Sequence, residues 1–403
     1  MPFFSLARLL FSAVSWLLLA AAAYLLWTGY GGRELVTAEG EVFVDREHWR
    51  LWVGVALLAW CFAGRFPVLW LTTRPGGAAS RPVRSGGRMV DGTRGSQLYV
   101  EEDGAGPTVV LTHGWGMDST IWRRTRDDLG QRLRLIAWDL PGLGRSHPPR
   151  GAAPTLEGFA EDLRDLVMAE REPVTLVGHS IGGMIIQTLA RDNPELFEGR
   201  ISGVILLNTT YTDPSQTMVL GGLVRAFRPV VKACLRLTAW LQPLAWLSAW
   251  QSYLSGSAHL ANRLGFGSQV THSQLEHTTL LATRNPPGVQ ALGIRAMLDW
   301  DADGALAKIR CPVLVIGGAV DIVTKVEASQ HIAASSPEAV LRPIQGANHM
   351  GFLEHSGAYN DAMTAFIAAH QLASPAARQT PSSVALGGID GSEQATPPGD
   401  APQ

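Results

Sequence analysis

The chain opens on two long apolar stretches and then changes character. Leu9 to Tyr30 holds no charged residue and Leu51 to Leu71 holds only Arg65, and a helix crossing a hydrocarbon core needs roughly 17 to 25 such residues. The pattern predicts a membrane region over residues 1–72, with spans at about 9–30 and 51–71. Pro67 predicts a kink or an end there, and Arg65, near the end of the second stretch, is expected to snorkel towards water. A cleaved signal peptide fits less well, because the first run exceeds the roughly 7 to 15 residues of such a segment and only Arg8 precedes it.

Residues 73–96 lack apolar periodicity and read as a basic, flexible linker, whereas residues 374–403 have the low-complexity composition of a disordered tail. Between them, short β-branched runs alternate with helix-like stretches. The strand candidates are "PTVVLTHG", "RLIAWDLPG", "PVTLVGHS", "GVILLNTT", "CPVLVIGG" and "AVLRPIQGANH", with "QLYVEEDGAG" as a possible edge strand. Continuous apolar strands alternating with helices predict an α/β domain, a mainly parallel sheet covered on both faces. Helices are expected over Leu156 to Glu170 and Ser180 to Arg191.

Charge and composition narrow the classes. A net charge of −2 with no sustained basic tract gives no footprint for nucleic acid. Cys61, Cys234 and Cys311 are scattered, with no metal-ligand spacing, and are expected to be small buried residues. The acidic loop from Gly31 to Arg50 contrasts with Arg74, Arg81, Arg84 and Arg88 after the second stretch, which predicts cytoplasmic termini and a cytoplasmic globular domain. The arginine-rich usage suggests a bacterial plasma membrane.

In an open parallel sheet, ligands gather at the carboxyl ends of the strands. The polar residues predicted there are His113, Asp139, Ser180, Asn208, Asp321 and His349. "GHSIG", Gly178 to Gly182, sets Ser180 between a strand and a helix, and "HGWG", "DLPGLGRS", "GGAVDIVT" and "GANHM" follow the other strands. These five motifs in this order resemble the α/β-hydrolase fold family over residues 97–373. The resemblance implies Ser180 as nucleophile, His349 as base and Asp321 as the acid that orients it, with Asp213 in "NTTYTDP" as the alternative acid. It also implies backbone N–H groups of Trp115 and Ile181 as an oxyanion hole, Gly178, His179 and Gly182 as the turn around the nucleophile, and His113 and Gly114 as the oxyanion loop. No metal and no cofactor is required. The bland readings are a turn serine, a structural histidine and a turn acid.

About a hundred residues separate "GVILLNTT" from "CPVLVIGG", far beyond the usual roughly 2 to 6 of such a connection. They resemble the family's helical cap, placed at about 212–305. Arg225, Arg228, Lys232 and Arg236 recur along one face of it; they either face water or, with Trp240, Trp246 and Trp250, meet a lipid surface. The expected function is a membrane-anchored serine hydrolase of lipophilic carboxylic esters resembling monoacylglycerol-lipase-like and carboxylesterase members. The alternatives are a C–C bond hydrolase, a cofactor-free perhydrolase or haloperoxidase-like enzyme, and a non-catalytic membrane scaffold.

Overall fold

The computed structural model describes residues 2–38, 40–76, 80–84 and 86–371. The tail expected over residues 374–403 lies outside them. The N-terminal segment is a helical hairpin: α1 (Pro2–Gly31), the antiparallel strands β1 (Arg33–Val36) and β2 (Val42–Asp45), then α2 (His48–Ala63) and α3 (Arg65–Thr72). Gly54 lets α2 approach α1 closely, since a Cβ there would stand 2.8 Å from Leu26 Cγ.

Among the described residues one helix is long and apolar enough to cross a membrane, Leu10–Gly31. The second predicted stretch is a pair of helices, α2 and α3, bent by 68° to one another, with the kink that Pro67 predicts. The bend falls at Gly64, ahead of Pro67, because the proline ring has no N–H and excludes the carbonyl four residues back. Arg65 does not simply snorkel: its guanidinium lies 4.8 Å from the Phe66 ring centre and 4.9 Å from that of Tyr253.

The globular domain is built on an eight-stranded sheet ordered β10-β9-β8-β7-β5-β6-β4-β3. Its strands are β3 (Arg88–Asp91), β4 (Gln97–Asp103), β5 (Thr108–Thr112), β6 (Arg134–Trp138), β7 (Val174–His179), β8 (Ile201–Leu207), β9 (Val313–Gly318) and β10 (Ala339–Ile344). Pairing is parallel from β10 through to β6 and antiparallel at β6–β4 and β4–β3. The expected linker thus contains a strand, β3, and Arg84 is fastened to Asp118 and Asp139 at 2.8 and 3.0 Å. β3 is short and half polar, which gives no apolar run to read.

Two cores flank the sheet. On one face α5 (Leu156–Ala169) and α6 (Ile181–Asp192) bury Phe159, Leu163, Ile185 and Leu189. On the other, α4 (Arg123–Leu129) lies with the C-terminal helices, and Trp122, Phe352 and Tyr359 fill the space. Between β8 and β9 run the cap helices α7 (Pro214–Thr217), α8 (Gly221–Ala226), α9 (Arg228–Trp240), α10 (Gln242–Leu254), α11 (Ser257–Arg263), α12 (His272–Arg284) and α13 (Pro287–Leu298). After β9 come α14 (Val326–Ser335), α15 (Gly351–Glu354) and α16 (Ser356–Gln371).

The cap's basic row is divided: Arg228 and Lys232 turn towards carboxylates, whereas Arg225 and Arg236 are exposed, as the water-facing reading expects. Arg228 bonds Asp213 and Asp299, Lys232 bonds Asp299 and Arg225 bonds the Ser215 carbonyl; Arg236 is exposed. Trp240, Leu244 and Leu247 are exposed as well, while α10 packs against α1 and α2. Carboxylates within the cap attract the cations more strongly than water would leave them free. Cys61 and Cys311 are buried as expected; Cys234, on α9, is exposed.

Candidate active site

Ser180 stands at the joint of β7 and α6 with φ 58° and ψ −116°, backbone space that residues other than glycine rarely occupy. Surrounding bonds hold it there: Ser180 N–H donates to the Leu207 carbonyl at 3.0 Å, and the Ser180 carbonyl accepts from Gly183 N–H at 3.0 Å and Thr209 Oγ1 at 2.6 Å. Gly178 and Gly182 serve close approach. A Cβ on the first would stand 2.4 Å from the Gly182 carbonyl carbon, and one on the second 2.3 Å from the Thr112 carbonyl oxygen.

The loop after β10 brings His349 to this serine. Ser180 Oγ lies 3.1 Å from His349 Nε2, and His349 Nδ1 lies 3.0 Å from Asp321 Oδ2, so the hydroxyl can donate to one ring nitrogen while the other donates to the carboxylate. Asp321, in the loop after β9, is fully engaged. Its Oδ1 accepts from Val323 N–H at 2.7 Å and Thr324 N–H at 2.9 Å; its Oδ2 accepts from Thr324 Oγ1 at 2.8 Å and Asn208 Nδ2 at 2.9 Å. Burial pushes the Asp321 carboxyl upward, but the His349 charge and the hydrogen bonds from His349, Asn208 and Thr324 outweigh it and hold the group below the ordinary carboxylate range.

The alternative acid is placed elsewhere. Asp213 caps α7, accepting from Ser215 N–H and Ser215 Oγ at 2.8 Å each, and pairs with Arg228 at 3.1 Å. Asp139 is a loop organiser: Oδ1 accepts from Ser119 N–H at 2.7 Å and Oδ2 from Arg145 N–H at 2.8 Å.

Two other histidines buttress the site. His113 Nε2 accepts from Leu140 N–H at 3.0 Å, so its Nδ1–H donates to the Gly114 carbonyl at 2.8 Å, and burial lowers its pKa. His179 Nε2–H donates to the His349 carbonyl at 3.0 Å; burial, followed by the neighbouring His349 charge, pushes its pKa down to about 3. Its ring fills the space beside Gly114, where a Cβ would stand 2.6 Å from His179 Nδ1.

Among the described residues, the backbone N–H groups of Trp115 and Ile181 donate to no other protein atom. Ile181 opens α6, where the first N–H groups have no partner within the helix and the dipole favours negative charge. The arrangement can therefore take an attacking oxygen, remove its proton and stabilise a developing oxyanion.

A cleft between cap and sheet reaches Ser180 and His349. Trp115, Met117, Phe266, Ala282, Ile294 and Met350 form its apolar wall; Arg8, Asn262, Thr278 and Gln290 are its polar members. Trp115 is held by an Nε1–H bond to the Gln290 carbonyl at 3.0 Å, and it fits only because residue 293 is glycine, where a Cβ would stand 2.0 Å from Trp115 Cζ2. Asn208, Thr324, Gln290 and Arg8 carried no assigned role in the sequence reading. Asn208 was nevertheless among the polar residues predicted at the strand ends; Arg8 carries no such signal. Among the described residues, no group of three or more His, Cys, Asp or Glu side chains is placed to hold a metal ion.

Comparison with known proteins agrees with this architecture. The chain is 31% identical over 261 residues to the pimeloyl-[acyl-carrier protein] methyl ester esterase of Chromobacterium violaceum, covering 64% of this chain and 93% of the relative. It is 30% identical over 269 residues to the enzyme of the same name from Nitrosospira multiformis, with the same coverage. Among solved structures, an esterase from Thermogutta terrifontis superposes with a TM-score of 0.55 at 24% identity, over 70% of this chain and 99% of that one, a likeness of fold. The pattern of the alpha/beta hydrolase family matches residues 109–362, more than half of the protein, and the chain belongs to that family.

Proposed function

We propose that this protein is a membrane-anchored serine esterase in which Ser180, His349 and Asp321 form the catalytic triad. The observation that carries the reading is the relay from Ser180 Oγ to His349 Nε2 at 3.1 Å and from His349 Nδ1 to Asp321 Oδ2 at 3.0 Å. Ser180 Oγ attacks the ester carbonyl carbon while its proton passes to His349 Nε2. The carbonyl oxygen, now an oxyanion, accepts from the N–H groups of Trp115 and Ile181. The C–O bond to the alcohol breaks as His349 returns the proton to the departing oxygen, leaving an acyl-serine. Water then gives its proton to His349, attacks the acyl carbon and releases the acid, and Ser180 Oγ recovers the proton. Asp321 stays ionised throughout and stabilises the charged imidazole. The methyl esterase activity of the similar enzymes supports ester chemistry and keeps small alcohols among the leaving groups.

The membrane part of the reading rests on placement. The apolar window of α1 starts at Leu10, and at about 1.5 Å per residue its 22 residues make a rod of roughly 33 Å, the thickness of a hydrocarbon core. Within that window Ser12 bonds Ser248 at 2.7 Å and Ser15 bonds Ser255 at 2.7 Å. The cap helix α10 and its exposed Trp240, Leu244 and Leu247 neighbours therefore lie at the level of the lipid, an arrangement suited to lipophilic esters.

Activity-based labelling with a fluorophosphonate on the wild type and Ser180→Ala tests the chemistry, followed by a chain-length series of esters. Labelling that depends on Ser180, with ester turnover, is the expected result. Absence of Ser180-dependent labelling defeats the proposal, and labelling without ester turnover transfers it to C–C bond or perhydrolase chemistry.

A further inference from the structure

Arg8 belongs to the N-terminal helix, yet it lines the same cleft as Ser180. Its Nε–H and one Nη2–H converge on a single acceptor, Asn262 Oδ1, at 3.3 and 2.8 Å. Asn262 is oriented for this: its Nδ2 donates to Thr279 Oγ1 at 3.0 Å, which in turn donates to the Leu275 carbonyl at 2.7 Å. A guanidinium presents five N–H donors in a planar fork, so three of them remain. Among the described residues no carboxylate lies within ion-pair distance of Arg8, whereas Arg84, Arg126 and Arg134 are each held by two acidic side chains. The cleft that it lines also presents Phe266, Ile294 and Met350. A half-buried cation in the cleft of the candidate nucleophile, without a counter-charge, matches a ligand anion better than it matches a structural ion pair.

The helix is also keyed in rotation. Arg8, Ser12, Ser15 and Trp16 recur at the spacing of one helical face, and all bond the cap: Arg8 to Asn262, Ser12 to Ser248, Ser15 to Ser255, and Trp16 Nε1–H to Ser248 Oγ at 3.0 Å. That contact face turns Arg8 into the cleft.

We propose that Arg8 is the anion-binding end of the substrate cleft, so that the enzyme takes esters carrying their own negative charge, a carboxylate or a phosphate, held by Arg8 while the ester carbonyl reaches Ser180. The N-terminal helix is then part of the active site as well as an anchor. The inference rests on the serine-esterase reading above.

The test uses the full-length protein in nanodiscs of phosphatidylcholine, with Arg8→Gln and Arg8→Lys. Matched probes are 4-nitrophenyl hydrogen suberate against 4-nitrophenyl octanoate, and lysophosphatidate against the monoacylglycerol of equal chain length. Loss of a charge-assisted hydrogen bond predicts a KM for the charged probe about 10- to 100-fold higher in Arg8→Gln, with the neutral partner unchanged within about two-fold and part of the loss recovered by Arg8→Lys. Whichever charged probe responds identifies the anion as carboxylate or phosphate. Equal losses on charged and neutral probes overturn the proposal in favour of helix packing. No change on either overturns it in favour of a residue that only orients the helix at the lipid surface. If Arg8→Gln no longer labels with fluorophosphonate, the wild type decides: kcat/KM must favour the charged probe and that preference must shrink with added salt, and a preference for the neutral probe overturns the proposal. Failure of the wild type itself to label at Ser180 is a separate result, against the esterase reading.

Discussion

Asn208 Nδ2 donates to Asp321 Oδ2 at 2.9 Å, and Tyr359 Oη donates to Asn208 Oδ1 at 2.8 Å. The amide is thereby locked with its donor towards the carboxylate, and the acid that faces His349 is steered from the end of a neighbouring strand. Asn208 itself has φ 46°, left-handed backbone that asparagine adopts more readily than most residues.

Asn208→Ala is expected to lower kcat by about 10- to 100-fold, the worth of a hydrogen bond to an ionised group, with little change in KM. Because the Asn208 bond helps depress the Asp321 carboxyl, its loss raises that pKa, and the acid limb of the kcat profile should move to higher pH. Steady-state kinetics across pH checks both; a fall in kcat with an unmoved acid limb would point to general disruption instead.

His277 on α12 ties the cap to the domain beneath, with Nδ1 2.8 Å from Ser80 Oγ and Nε2 3.1 Å from Thr120 Oγ1. Burial, followed by the Arg284 charge, pushes its pKa from 6.5 down to about 4. Between those values the unfolded chain binds a proton that the folded protein does not, so this contribution to stability is intact above pH 6.5 and lost as pH falls towards 4. His277→Gln should reduce the slope of stability against pH in that window by about 1.4 kcal/mol per pH unit, measured by denaturant unfolding in detergent. An unchanged slope would assign the acid sensitivity to other groups, among them His179.

The exposed apolar face of the cap predicts a difference between dissolved and membrane-borne substrates. Full-length protein carrying Trp240→Ser, Leu244→Ser and Leu247→Ser should retain turnover of a short, soluble ester. Its turnover of a long-chain ester held in vesicles should fall several-fold, because each large apolar side chain withdrawn from lipid forfeits roughly 1.5 to 3 kcal/mol. Equal turnover of the vesicle substrate by variant and wild type would remove the cap from the membrane surface.

Much of this protein was written locally in its sequence, because strands, elbows and helix starts depend on neighbours a few residues away. "PVTLVGHS" announced β7 and Ser180 together, and the apolar runs ending at Asp321 and His349 announced the strand ends that carry them. Where the signal was weak, the reading failed for a physical reason. β3 has no apolar run, whereas the break of the second span at Gly64 follows the kink that Pro67 announced, since a proline imposes its backbone conflict one turn earlier. Other features exist only after the chain has closed on itself. The cations of the α9 row find Asp213 and Asp299 across the cap, Asn208 finds Asp321 across two strands, and Gly293 empties the space that Trp115 fills. Arg8 and Asn262 are 254 positions apart, and no periodicity links them; only the packing of α1 on the cap brings that charge into the cleft of Ser180.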